Sequence, residues 1–201
     1  MKSVLVVVLS LVVLCTACST AWVSTLDSIL AAAAPALVNI LQIVAVANGQ
    51  PVNSNLEAKI NADAAVIKTL AGDFAKASSS AAPTVCSQLQ AAISTYQADQ
   101  QLVLSAAQVS DLNTQTKITL LANLVAGTVN AITAVIPSCN DAASSRNLKA
   151  QPLYSISTFV AHYNSILVAP TGNPGVDAAT QKLKLHQHSK LVRMVTFGRL
   201  Q

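Results

Sequence analysis

Aromatic side chains make up 3% of this 201-residue chain, charged ones 10%, and glycine occurs six times. So few rings argue against a surface that stacks unpaired bases, and nucleic acid is not expected as a partner. The eight acidic residues are scattered singly, which leaves no closely spaced carboxylate pair for general acid–base chemistry. A G-x-S-x-G elbow and a glycine-rich phosphate loop are both missing. Cys86 and Cys139 are far too distant to be a C-x-x-C pair, and no histidine stands near either in sequence. His186-Gln187-His188 offers two imidazoles, but on a helix they point about 200° apart. Two such ligands are also too few for zinc. His162-Tyr163 reads as a packed or half-exposed pair rather than a catalytic one. The expectation is a protein that is not an enzyme, with no metal and no cofactor.

What the chain does have is aliphatic bulk: 52% of its residues are hydrophobic, with Ala, Val, Leu, Ser, Thr and Gln dominant. Ala and Leu favour helix, and small Ala side chains let helices approach closely. At the N-terminus, Lys2 precedes an apolar run from Val4 to Leu14 and then small residues. This is the layout of a secretory signal peptide, and the run is shorter than the roughly 20 residues of a spanning helix.

Thr16-Ala17-Cys18 resembles the lipobox of bacterial lipoproteins, in which a cysteine after small residues is lipidated and becomes the new N-terminus. Cys15 departs from the pattern, standing where leucine is usual. Ser19 resembles the arrangement sent on to the outer membrane. The resemblance implies a signal peptide over 1–17, a lipidated Cys18 (palmitate among its acyl chains) and a linker over 18–23. It also implies a place in the cell envelope, at the outer membrane or on the periplasmic side of a membrane. Ser19-Thr20-Ala21 also satisfies the small-x-small rule of ordinary cleavage, which would give a soluble secreted or periplasmic protein instead.

Either cleavage leaves Cys86 and Cys139, an even count in an oxidising compartment, and so a disulfide is expected. Pro83 to Val109 and Asn113 to Ile136 read as two helices joined by a short polar turn. They should therefore lie antiparallel. The two cysteines stand at similar distances from Asp111 on opposite sides of that turn, so both reach the same end of the hairpin. The bond would close a loop of about 50 residues and contribute about 4 kcal/mol.

Two helices precede these. Ser24 to Ala47 carries Leu30, Leu37 and Val44 seven apart, with Ile40 between them; Pro35 should kink or break it. Asn48-Gly49-Gln50-Pro51 is a stop. The next begins at Ser54-Asn55-Leu56-Glu57, which fits a capping box, and buries Leu56, Ile60, Ile67, Leu70 and Phe74. The third buries Val85, Leu89, Ile93, Tyr96, Val103 and Ala106. Its opposite face is rich in glutamine at Gln90, Gln97, Gln100, Gln101 and Gln108. The fourth shows Ile118, Leu121, Val125, Ile132 and Val135 as a near-heptad seam. Matched lengths and short turns predict an all-α fold, an antiparallel four-helix bundle over 24–137.

Residues 138–201 read as a polar connector and a short, basic C-terminal helical extension: a helix over Leu153 to Val168, a turn cluster at 169–175, then a helix from Asp177. The basic residues Lys182, Lys184, Lys190 and Arg193 are candidates for contact with an anionic surface. Read as a strand instead, Lys182 to His186 alternates strictly. Two functions are expected from different classes. The leading one is a cell-envelope lipoprotein with a structural or protein-interaction role, held to a membrane by its lipid and touching an envelope protein or cell-wall polymer. The second is a membrane-active or apolar-ligand-binding bundle whose first helix, uncharged from Ile29 to Ala47, moves or covers the ligand.

Overall fold

A computed structural model describes residues 21–78, 80–135 and 155–186. Among the described residues the protein is all-helical, with six helices: α1 (Ala21–Ala47), α2 (Ser54–Lys76), α3 (Ala82–Ala106), α4 (Leu112–Val135), α5 (Ile156–Val168) and α6 (Pro174–Thr180). The leader, Cys18, the connector with Cys139, and the distal basic residues Lys190 and Arg193 lie outside the described residues, as does His188.

The most apolar segment, α1, takes the centre. It packs against α2, α4 and α6, and touches α3 and α5 as well. Leu26, Ile29, Ala33, Ala36, Leu37, Ile40 and Ile43 are all fully buried, so the helix is covered on nearly every side. By length and composition α1 could cross a membrane, yet most of that stretch is buried inside the protein. The α2–α3 pair packs along its length, whereas α3 and α4 meet only over a narrow seam.

Local chemistry sets the helix ends. Gly49, at φ +62°, lets α1 close with Gln50 N–H on the Ala45 carbonyl at 2.9 Å and Gly49 N–H on Val46 at 3.2 Å. α1 runs through Pro35 without a break; the proline is tolerated, although it has no N–H to give to the Ala31 carbonyl. α2 is capped by Asn53 rather than Ser54: the Asn53 side chain accepts from Leu56 N–H at 3.1 Å. Asparagine caps as well as serine, so the start moves one residue upstream. Asp111 caps α4 by accepting from Thr114 N–H at 2.7 Å, and these Thr114 bonds hold its carboxyl below the usual range.

The expected core stripes are buried with local exceptions among the residues whose side chains are described, which leave out Ile132 and Val135. Leu70 and Val85 are only half-buried, and Ala106 is exposed while Ala107 is buried in its place. Gln100 leaves the expected polar face and is buried beside Asp99. Asp99 accepts from Lys59 Nζ across the α2–α3 interface at 2.7 Å, and Lys59 also reaches Asp63 at 3.1 Å. Burial pushes the Asp99 carboxyl up, against the pull of Lys59.

The C-terminal part departs furthest from expectation. α6 is capped by Asn173, and Asp177 sits in its first turn. There Asp177 accepts from Thr171 N–H and Oγ1, both at 2.9 Å, and from Gly172 N–H at 3.2 Å. Its helix ends at Thr180, and residues 183–186 are not helical. The reason is visible in the pattern: Leu183 and Leu185 turn inward while Lys182, Lys184 and His186 stay exposed, an alternation that a helix would destroy.

Candidate functional site

Between Ile29 and Ala45, α1 is left open along one stripe. Ser28, Ala31, Pro35, Asn39 and Gln42 follow one another at steps of three or four, so they share a face. That face forms the floor of a groove of about 550 Å³. Ala31 and Pro35 are exposed within it, and their small size leaves the space that larger side chains would fill.

The first wall comes from the start of α5, through Ile156, Ser157 and Val160. Ser155 caps that helix, accepting from Thr158 N–H at 3.2 Å, so the positive end of the α5 dipole opens beside the groove. α5 is fixed against α1 by Tyr163, which is fully buried and donates its hydroxyl to the Ala36 carbonyl at 3.2 Å. Burial raises that hydroxyl's pKa, so it stays protonated as the donor. Phe159 packs on the Tyr163 ring with centroids 5.8 Å apart.

The second wall is the strap Lys182–His186. Two asparagines hold its backbone. Asn39 Nδ2 donates to the Leu183 carbonyl at 2.7 Å. Asn164 pairs with Leu185 in both directions, Nδ2 to the carbonyl and Leu185 N–H to Oδ1, each at 2.9 Å. The side-chain amide thus copies the pairing of a neighbouring β-strand. Leu185 is 9% exposed and joins the core, while Lys182, Lys184 and His186 line the rim. Of the four basic residues singled out in the sequence, Lys182 and Lys184 therefore come together here.

A smaller cleft of about 430 Å³ lies between α4 and the turn after α5, with Lys117 at its edge. Lys117 is 4% exposed, and its Nζ donates to the Leu167 carbonyl at 3.0 Å, with Asp177 at 3.7 Å. A cation on the last carbonyls of α5 is a helix cap. Desolvation lowers its pKa, and Asp177 opposes the shift.

Cys86 is fully buried in a separate cluster with Phe74 and Ala82, against which Trp22 packs. Among the described residues no group of three or more His, Cys, Asp or Glu side chains could hold a metal ion. No pattern in the sequence singles out Asn39 or Asn164 as a partner of the strap. The alternation of Lys182–His186 was the available signal for the strap. Comparison with family models, curated proteins and solved structures finds no match.

Proposed function

We propose that this protein works outside the cytoplasm, anchored through a lipid on Cys18, and binds an apolar ligand in the groove between α1, α5 and the strap. The observation that carries this reading is the uncovered stripe on α1 between Ile29 and Ala45, a stretch otherwise buried. A soluble bundle normally closes such a stripe with large side chains, whereas here Ala31 and Pro35 leave about 550 Å³. Ligand pockets span roughly 300–1,000 Å³ and are mostly apolar, with a few convergent polar groups. Asn39 and Gln42 supply such groups within the groove.

The frame is read as an antiparallel four-helix bundle of α1–α4, supported by the packing of α1 on α2 and α4 and of α2 on α3. A Cys86–Cys139 disulfide is part of the same proposal, and it is supported by Cys86 being bonded rather than a free thiol.

The test is a titration of the chain carrying Cys18→Ser with a fluorescent acyl probe. The parent should bind, and Ala31→Trp, which fills the groove from an exposed position, should abolish binding without lowering the melting temperature. Equal binding by Ala31→Trp would overturn the groove assignment. Fractionation of cells tests the anchor: Cys18→Ser should leave the membrane fraction, and unchanged partition would refute lipidation.

A structural or protein-interaction role, in contact with an envelope protein or wall polymer, is the second reading. Leu112 at the start of α4, 77% exposed, favours it together with exposed Leu102 and Leu120.

A further inference from the structure

We infer that the groove takes an anionic single-chain amphiphile, a long-chain fatty carboxylate, with its tail along the α1 stripe and its headgroup at Lys182 and Lys184. This rests on the apolar-ligand reading above and adds the charge and size of the head.

Charge complementarity carries the assignment. Two lysines and His186 line the groove, and among the described residues no acidic one does. Elsewhere three of the four described lysines meet carboxylates, Lys59 with Asp63 at 3.1 Å, Lys68 with Asp27 at 3.3 Å and Lys117 with Asp177 at 3.7 Å, the exception being Lys76 at the end of α2. Among the described residues neither Lys182 nor Lys184 has an ion-pair partner. The positive end of α5 opens on the same groove through Ile156 and Ser157, which adds a second attraction for an anion.

The backbone that carries the two lysines is also fixed in advance. Their backbone is held by Asn39 and Asn164 on either side, and their neighbours Leu183 and Leu185 are turned into the protein. Both lysines consequently leave the strap on its exposed side, at the rim, where a headgroup leaving an apolar trough would meet them. Such preorganisation lowers the ordering cost of binding. Ser28, Asn39 and Gln42 are neutral hydrogen-bonding groups within the trough and place no charge against the tail. The volume suits one chain with a compact head, which favours a carboxylate over a bulkier phosphoglycerol head.

The experiment compares hexadecanoate, hexadecanol, hexadecyltrimethylammonium and a lysophosphatidate, each below its micelle concentration, by displacement of an uncharged acyl probe from the full chain carrying Cys18→Ser. Hexadecanoate should bind at least about tenfold more tightly than the alcohol, as expected of two cations near an exposed anion. The trimethylammonium compound should be weakest. Lys182→Gln with Lys184→Gln should erase the preference for the acid yet leave binding of the alcohol unchanged, which separates a lost headgroup contact from a lost fold. Equal affinity for acid and alcohol would overturn the inference while leaving the apolar groove standing. Tighter binding of the lysophosphatidate would overturn the choice of carboxylate. If none of the four displaces the probe, or the probe itself does not bind, the underlying reading falls and this inference with it.

Discussion

At the scale of single residues, the side chains that define the groove are polar groups used on the backbone. Asn164 satisfies both the N–H and the carbonyl of Leu185, so one side chain replaces a stretch of sheet that the strap does not have. Replacing it by leucine removes both bonds and leaves two main-chain groups to find water or stay unpaired, at about 1–3 kcal/mol. Asn164→Leu should release the strap locally, with faster amide exchange at Leu185 and little change in the global unfolding midpoint. Unchanged protection at Leu185 would show that Leu183 and Leu185 hold the strap by burial alone. Lys117 belongs to the same class of residue, because its aliphatic stem is buried and its ammonium closes the C-terminal end of α5.

At the scale of elements, two helix starts carry carboxylates whose titration is linked to folding. Asp111 is held below the usual carboxylate pKa by Thr114 at the start of α4. Asp177 is likewise lowered: burial would raise it, but the donors on Thr171 and Gly172 outweigh that. For a carboxyl depressed in the folded state, the stabilisation is complete above its unfolded value, about 3.9, and drains away as pH falls through the folded value. Asp111→Asn keeps a capping oxygen but removes the titration. Its unfolding midpoint should therefore fall less steeply than the parent's below about pH 4, as followed by circular dichroism. Parallel acid limbs would sink this assignment. The long elements were readable from spacing because Leu30, Leu37 and Val44, or Leu89, Ile93 and Tyr96, repeat with the helical period and all are buried. Their boundaries were less so, since Asn53 and Ser54 are near-equal caps and only the fold chooses between them. The segment after Thr180 was the hardest, because Leu183 and Leu185 satisfy a strand pattern without a neighbouring strand. Their partners are asparagine side chains about 20 and 140 residues away, which no local window contains.

At the scale of the whole molecule, the weakly joined place is the seam between α3 and α4. These helices are consecutive, yet α3 packs mainly on α2 and α4 mainly on α1, so few direct contacts connect the pair. Near the far end of α3, Cys86 is buried with Phe74 and Ala82, and the Trp22 ring meets Phe74 edge-on at 5.8 Å and 66°. A covalent link from Cys86 to Cys139 would close the two helices into one loop of about 50 residues, doing through chain connectivity what side-chain packing does for α2 and α3; the expected stabilisation is about 4 kcal/mol. Urea unfolding of the oxidised chain should accordingly have a midpoint well above that of the reduced chain. A variant carrying Cys86→Ala with Cys139→Ala should match the reduced chain and no longer respond to reductant. Mass spectrometry of unreduced peptides should recover residues 86 and 139 together. Two free thiols in secreted protein, or equal midpoints before and after reduction, would mean that α3 and α4 are held by α1 and α2 alone.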